Sequence, residues 1–154
     1  MIPYADTNFF SRLYLPLAES DEAASLVETA RDAASPPLPV TWLHRLETVN
    51  AFQLHVFTGK MRGQTPITPE QAAAAYANFR ADLVQPTYLS SAQINLDDLE
   101  KDFAELAPRH TSKHGFRTYD LLHVASALRL QCDAFWSFDR EASKLAALEG
   151  LAVR

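Results

Sequence analysis

The stretch RTYDLLHVASALRL, Arg117–Leu130, decides how the rest of the chain is read. Leucine, valine and alanine fill it so thoroughly that at helical spacing it has almost no polar face, and such a helix is buried inside a larger fold. Asp120 and His123 break the pattern. A carboxylate in the first turn of a helix is stabilised by the dipole by about 0.3–1 kcal/mol, which explains why Asp120 is tolerated there but not what it does. His123, one turn further on, is read as a hydrogen-bonded structural residue.

Outward from this helix, short apolar runs alternate with longer helical patterns. Ile2–Ala5 is a strand candidate, with Pro3 tolerable near a strand start. A short helix is expected over Phe9–Leu15 and a longer one from Ser20 or Asp21 to about Ala34. Leu38–Trp42 is the next strand, followed by a helix over Trp42–Gly59 with Gly59 as its stop. Thr68 caps a helix with Pro69 at its first position, ending before Pro86. Thr87–Ser90 is a weak strand, and a helix runs from Asn95 or Asp97 to near Pro108. RHTSKHGF (Arg109–Phe116) is expected to be a loop, AFWSF (Ala134–Phe138) a strand, Arg140–Glu149 a helix stopped by Gly150, and Leu151–Val153 a last short strand. Strands separated by helices predict βαβ units, a parallel sheet and helices on both of its faces. Ligands of such folds bind beyond the carboxyl ends of the strands.

The chain has 154 residues, 47% apolar and 21% charged, with no repeat and no flexible linker, which is one domain over residues 1–154. No apolar run approaches the roughly 18 residues that a membrane span needs. The opening MIPYADTN has no basic segment followed by an apolar one, so a cytoplasmic location is expected. A lone cysteine, Cys132, can form neither an internal disulfide nor a thiolate zinc site, and is read as a small buried residue. The net charge of −5 argues weakly against a nucleic-acid partner, since such proteins are usually basic. Bound divalent cations would offset most of that charge, so acidity does not exclude RNA.

Four acids occupy unusual places. Asp6 ends the first apolar run and Asp139 ends AFWSF, so parallel strands would bring both to one edge of the sheet. Taken alone, each also reads as a helix cap. Glu47 falls on a stripe with Leu43, Leu46, Asn50, Leu54 and Phe57, which predicts that it faces the core while His44, Thr48 and His55 face solvent. A core-facing carboxylate calls for a metal, a cation or a hydrogen-bond network. With Asp120, the set offers hard oxygen ligands suited to Mg²⁺ or Mn²⁺, and through them to hydrolysis of a phosphodiester by an activated water. HExxH, GxSxG and glycine-rich phosphate loops are absent, so zinc, serine-nucleophile and nucleotide-cradling chemistry have no support.

Four blocks together resemble the PIN-domain ribonucleases, and most closely the VapC-type toxins. They are YADTN (Tyr4–Asn8), HRLETVNAF (His44–Phe52), YDLLHVASAL (Tyr119–Leu128) and FWSFDREASKLAALEGL (Phe135–Leu151). The resemblance spans essentially the whole chain and rests on the order and spacing of all four blocks. It implies a three-layer α/β/α domain with a central parallel sheet of four to five strands. It implies that Asp6, Glu47, Asp120 and Asp139 bind Mg²⁺ or Mn²⁺ and carry catalysis, with Thr7, Asn8 and Ser137 supporting the pocket. The implied activity is endoribonuclease cleavage, as the toxin of a toxin–antitoxin pair. RNA-processing outside such a pair and a silent RNA- or protein-binding module are the alternatives. Lys113, Arg117, Arg129 and Arg140 are the candidate contacts to RNA phosphates. A cognate antitoxin, docking an amphipathic segment against the N-terminal helices, and a homodimer are the expected protein partners.

Overall fold

The computed structural model describes residues 1–62 and 66–154. Its elements in chain order are β1 (Pro3–Ala5), α1 (Thr7–Tyr14), α2 (Ser20–Asp32), β2 (Leu38–Val40), α3 (Trp42–Arg62), α4 (Pro69–Val84), β3 (Leu89–Ser91), α5 (Leu96–Leu106), a π turn (Ala107–Thr111), α6 (Ser112–His114), α7 (Thr118–Arg129), β4 (Ala134–Trp136), α8 (Arg140–Leu148) and β5 (Ala152–Val153). Strands and helices alternate as the sequence predicts, and among the described residues no helix is long and apolar enough to cross a membrane.

Among the described residues all strand pairings are parallel. β1 pairs with β4, Ala5 opposite Trp136, and β4 pairs with β5, while β2 pairs with β3. The expected sheet is thus two ladders, β1-β4-β5 and β2-β3, with β1 lying against β2. Where those two strands meet, a side chain does the bridging: the His44 ring nitrogen Nε2 donates to the Ala5 carbonyl at 2.8 Å. Pro3 fits because β4 is held by the Ile2 carbonyl and the Asp6 amide, which leaves the missing N–H of Pro3 facing away from that ladder.

Side chains of successive strand residues point to opposite faces, and this alternation builds two cores. Tyr4 and Phe135 pack with Leu121, Val124, Ala125 and Leu145 on the side of α7 and α8. Ala5 and Trp136 pack with Phe9, Phe10, Val40 and Phe79 on the side of α1 and α4. Helices therefore cover both faces, as the three-layer reading requires. α7 is buried from Asp120 to Ala127 apart from Leu122, and Cys132 is buried, its thiol pushed up to about 11 by desolvation.

Three local expectations are corrected. α3 runs through Gly59 to Arg62; a β-carbon at Gly59 would stand 2.9 Å from the Pro66 Cα, so this glycine permits a close backbone approach and does not end the helix. Arg109–Phe116 is not a plain loop but holds the π turn and α6. Pro108 has no N–H for an α-helical bond and its ring crowds the carbonyl four residues back, so the chain widens at that point and continues.

The third correction concerns which face of α3 is buried. His44, Thr48, Phe52 and Val56 form the inner stripe, with Leu43 beside it, whereas Leu46, Leu54 and Phe57 are 64%, 51% and 60% exposed. Of its two polar members, His44 is tolerated inside because partners await it, whereas the Thr48 hydroxyl is buried without a hydrogen-bond partner among the described residues. His44 Nδ1 accepts from the Thr41 amide at 3.0 Å while Nε2 serves Ala5. Burial holds His44 well below the usual histidine range, and it packs as a neutral ring.

Candidate active site

Because β1 and β4 are parallel and in register, the residues that follow them emerge side by side. Asp6 leaves β1 as the N-cap of α1, its Oδ1 accepting from the Phe9 amide at 2.8 Å. Asp139 leaves β4 as the N-cap of α8, its Oδ1 accepting from the amides of Glu141 (2.8 Å) and Ala142 (3.3 Å). Both acids do cap their helices, as each alone would suggest, yet capping occupies only one oxygen of each. Asp6 Oδ2 accepts from the Ser137 hydroxyl at 2.6 Å, and the same hydroxyl accepts from the Asp139 amide at 2.9 Å. Ser137, itself buried, thus ties the two strand ends together.

Asp120 enters from the first turn of α7. Its Oδ2 accepts from the Arg117 backbone amide (3.2 Å) and Nε (3.0 Å), and its Oδ1 from Arg117 Nη2 (3.2 Å). Nη2 also reaches Asp139 Oδ2 at 2.7 Å. Three helix N-termini, those of α1, α7 and α8, therefore carry the three aspartates, which places each where the helix dipole favours negative charge.

Glu47 comes from α3. Its Oε2 accepts from the Thr7 hydroxyl at 2.9 Å and lies 2.5 Å from His123 Nε2. A carboxylate only accepts, so His123 Nε2 carries a proton, and Nδ1 shares a hydrogen bond of 2.9 Å with the Tyr4 hydroxyl. Glu47 is half-buried, at the edge of the inner stripe of α3, while most of the stripe on which the sequence placed it is exposed.

These residues line one pocket of about 190 Å³ formed by Asp6, Thr7, Asn8, Glu47, Arg117, Tyr119, Asp120, His123 and Asp139. All four predicted acids converge on it, and Thr7 and Asn8 line it. Asn8 also accepts from the Phe138 amide at 3.2 Å, steadying the turn before Asp139. Of the four predicted phosphate contacts only Arg117 lines the pocket. Arg140 is exposed beside Asp139, and Lys113 is exposed on α6. Arg129 ends α7, remote from Asp120, where it pairs with Asp102 at 2.7 and 2.6 Å. The larger cavity there, of about 330 Å³, is lined by Arg129–Asp102 and Arg109–Glu149 pairs whose charges already satisfy one another.

Two lining residues were not read as site residues from sequence. The sequence marks His123 as a structural residue and gives Tyr119 no role, yet both line the pocket, Tyr119 being 56% exposed. Spacing carried a signal for both, since Asp120 lies between Tyr119 and a histidine one turn along.

Burial raises the Asp6 carboxyl from 3.8 to about 6, against the opposing pull of His123 and the Ser137 and Phe9 hydrogen bonds. Burial also raises Glu47, but hydrogen bonding and charge from His123, with the Thr7 hydroxyl, outweigh it and hold that carboxyl below its ordinary value. Asp139 behaves similarly, burial being overcome by Arg117 and the two capping amides.

The donor set fits a hard divalent cation: among the described residues, four carboxylates face a space lined by one guanidinium and no lysine. Among the described residues, however, no three His, Cys, Asp or Glu groups are arranged to grip one ion. Asp120 and Asp139 are drawn to Arg117, and Glu47 to His123.

An acidic pocket at the carboxyl edge of a parallel sheet between two helical layers defines an α/β domain with its candidate site where such folds bind their ligands. The model of the PIN domain matches residues 65–148, and the chain belongs to that family. The sequence matches no curated protein. Among solved structures, the Mycobacterium tuberculosis toxin VapC20, described as cleaving the Sarcin-Ricin loop, is similar at 19% identity and a TM-score of 0.64, over 99% of this chain and 98% of that one. A VapBC2 chain from Rickettsia felis, bound to a DNA fragment from its promoter, is similar at 13% identity and a TM-score of 0.67, over 100% and 98%. A VapBC-1 chain from nontypeable Haemophilus influenzae gives 14% identity and a TM-score of 0.61, over 100% and 97%. These likenesses show a shared fold along the full chain.

Proposed function

We propose that this chain is a Mg²⁺- or Mn²⁺-dependent endoribonuclease that acts as the toxin of a type II toxin–antitoxin pair. The observation that carries the reading is the meeting of Asp6, Glu47, Asp120 and Asp139 in one pocket, from four separate elements. A binding module without turnover would not need all four, and none is missing. Membership of the PIN family and full-length likeness to chains described as toxins support the same reading.

In this reading Asp6, Glu47, Asp120 and Asp139 are the residues that would hold the cation. When bound, such an ion would supply activation of a water and neutralisation of the charge that develops on a phosphodiester. Thr7 and His123 fix the rotamer of Glu47, Tyr4 fixes His123, and Ser137 sets Asp6 relative to Asp139. Such outer contacts orient ligands and tune their basicity.

Two protein partners complete the proposal. A cognate antitoxin restrains the activity, in keeping with the complexes in which the Rickettsia and Haemophilus chains are described. A second copy of the chain covers the apolar groove of about 680 Å³ beside the pocket, lined by Trp42, Leu46, Leu54, Tyr119 and Leu122. A surface this apolar and continuous on a small domain marks an association site.

The test is induced expression of the wild type and Asp120→Asn in a bacterial host, followed by mapping of new RNA 5′ ends. Wild type should arrest growth and generate discrete ends, and the variant should do neither. Equal arrest by both would remove the carboxylate mechanism.

A further inference from the structure

Arg117 stands out in the pocket because its position is set by the residues that the cation would need. Both oxygens of Asp120 accept from it, and Asp139 gives it Oδ2 while Oδ1 caps α8. Its side chain is nonetheless 66% exposed, whereas the two partner carboxylates are 9% and 26% exposed. The cation is thus on the solvent side of the acids and can swing outward without opening the core. Without it, Asp120 and Asp139 would face each other across the pocket as like charges, with Asp6 and Glu47 adding to the repulsion. The bidentate fork toward Asp120 is a geometry that a guanidinium forms and an ammonium does not.

We propose that Arg117 is a built-in counter-ion of this pocket, holding Asp120 and Asp139 in the metal-free chain and competing with the divalent cation for them. The inference rests on the reading of the pocket as a cation site. It accounts for two observations together: four acids gather within one pocket, yet no three of them are arranged around a common point. Loading the pocket releases the guanidinium from its carboxylates toward solvent, the direction from which a phosphodiester arrives. Arg117 in this view keeps the empty pocket assembled and raises the cation concentration at which it fills.

The experiment is calorimetric titration of the full chain with Mn²⁺, together with its melting temperature with and without Mn²⁺. Wild type, Arg117→Gln, Arg117→Lys and Asp6→Asn are compared. Because the arginine is largely exposed, its competition is modest, and Arg117→Gln should bind Mn²⁺ about three- to tenfold tighter than wild type. Arg117→Lys should fall between the two. Arg117→Gln should also melt lower than wild type without metal and gain more on adding Mn²⁺, a pattern that a merely misfolded variant would not show. If Asp6→Asn loses the affinity that wild type shows while Arg117→Gln binds no tighter than wild type, the cation site stands and the role of Arg117 falls. If no variant binds Mn²⁺, or Asp6→Asn binds it like wild type, the cation site itself is refuted and this inference with it.

Discussion

Ser137 Oγ donates to Asp6 Oδ2 at 2.6 Å, joining residues 131 apart in the chain at the carboxyl ends of β1 and β4. The hydroxyl favours the ionised carboxylate, opposing the burial that lifts Asp6 to about 6. Ser137→Ala removes that donor and leaves burial less opposed. The pH at which Asp6 ionises should rise further, and cleavage in Mg²⁺ should weaken by roughly 10- to 100-fold, as loss of an outer contact to a ligand does elsewhere. A pH–rate profile of the purified variant checks this: its acidic limb should move to higher pH, and an unmoved limb would contradict the role assigned to Ser137.

Asp6 also makes a stability prediction. Its carboxyl is raised in the folded chain from 3.8 to about 6, so the folded state binds the proton more tightly. The associated stability is fully present below about 3.8 and is lost as pH rises through about 6, a total of about 3 kcal/mol. Asp6→Asn keeps a capping oxygen for Phe9 and has no charge to bury. Its stability relative to wild type should therefore increase by about 2 kcal/mol between pH 4.5 and 7.5. Urea denaturation at the two pH values, without divalent cation, measures it. A constant difference between the proteins would show that Asp6 is not desolvated.

Behind Glu47 lies a chain of two hydrogen bonds, Tyr4 to His123 and His123 to Glu47. Tyr4→Phe keeps the ring that stacks on Phe135 but leaves His123 Nδ1 without its buried hydrogen-bond partner. The cost should be about 1–3 kcal/mol of stability, with kcat reduced more than KM because Glu47 is held less firmly. Melting curves and steady-state cleavage of a short RNA provide both readings. A variant as stable and as active as wild type would mean that His123 is positioned by packing alone.

Much of this architecture is legible in the sequence because its signals are local. The Thr68–Pro69 start of α4 forms with a reciprocal capping box to Gln71. The unbroken apolar face of Thr118–Arg129 announced α7, and the acid after each of the two apolar runs marked the pocket. What failed depended on partners far away in the chain. The inner face of α3 is not legible because His44 counts as polar until Ala5 and Thr41 are known to partner it, and because Thr48 is buried beside it with no hydrogen bond to signal the fact. His123 looked like a bystander because its two partners, Tyr4 and Glu47, lie 119 and 76 residues away. Arg117 was read as a contact for RNA phosphates alone, since its bond to Asp139 crosses 22 residues and no periodicity reports it.

The misjudged face of α3 leads to a prediction about assembly. Leu46 and Leu54 project from that helix 64% and 51% exposed, and both line the groove next to the pocket. If a second copy covers this groove, the wild-type chain should elute with twice the 17.2 kDa mass of one chain. Leu46→Glu and Leu54→Glu place charges in the covered apolar surface and should shift the mass to that of a single chain. Because both side chains are solvated in the isolated chain, the substitutions should change its own stability by no more than about 0.5 kcal/mol. Light scattering coupled to size-exclusion chromatography distinguishes the outcomes. A monomeric wild type, or a double variant that keeps twice the chain mass, would show that α3 presents this stripe to something other than its own copy.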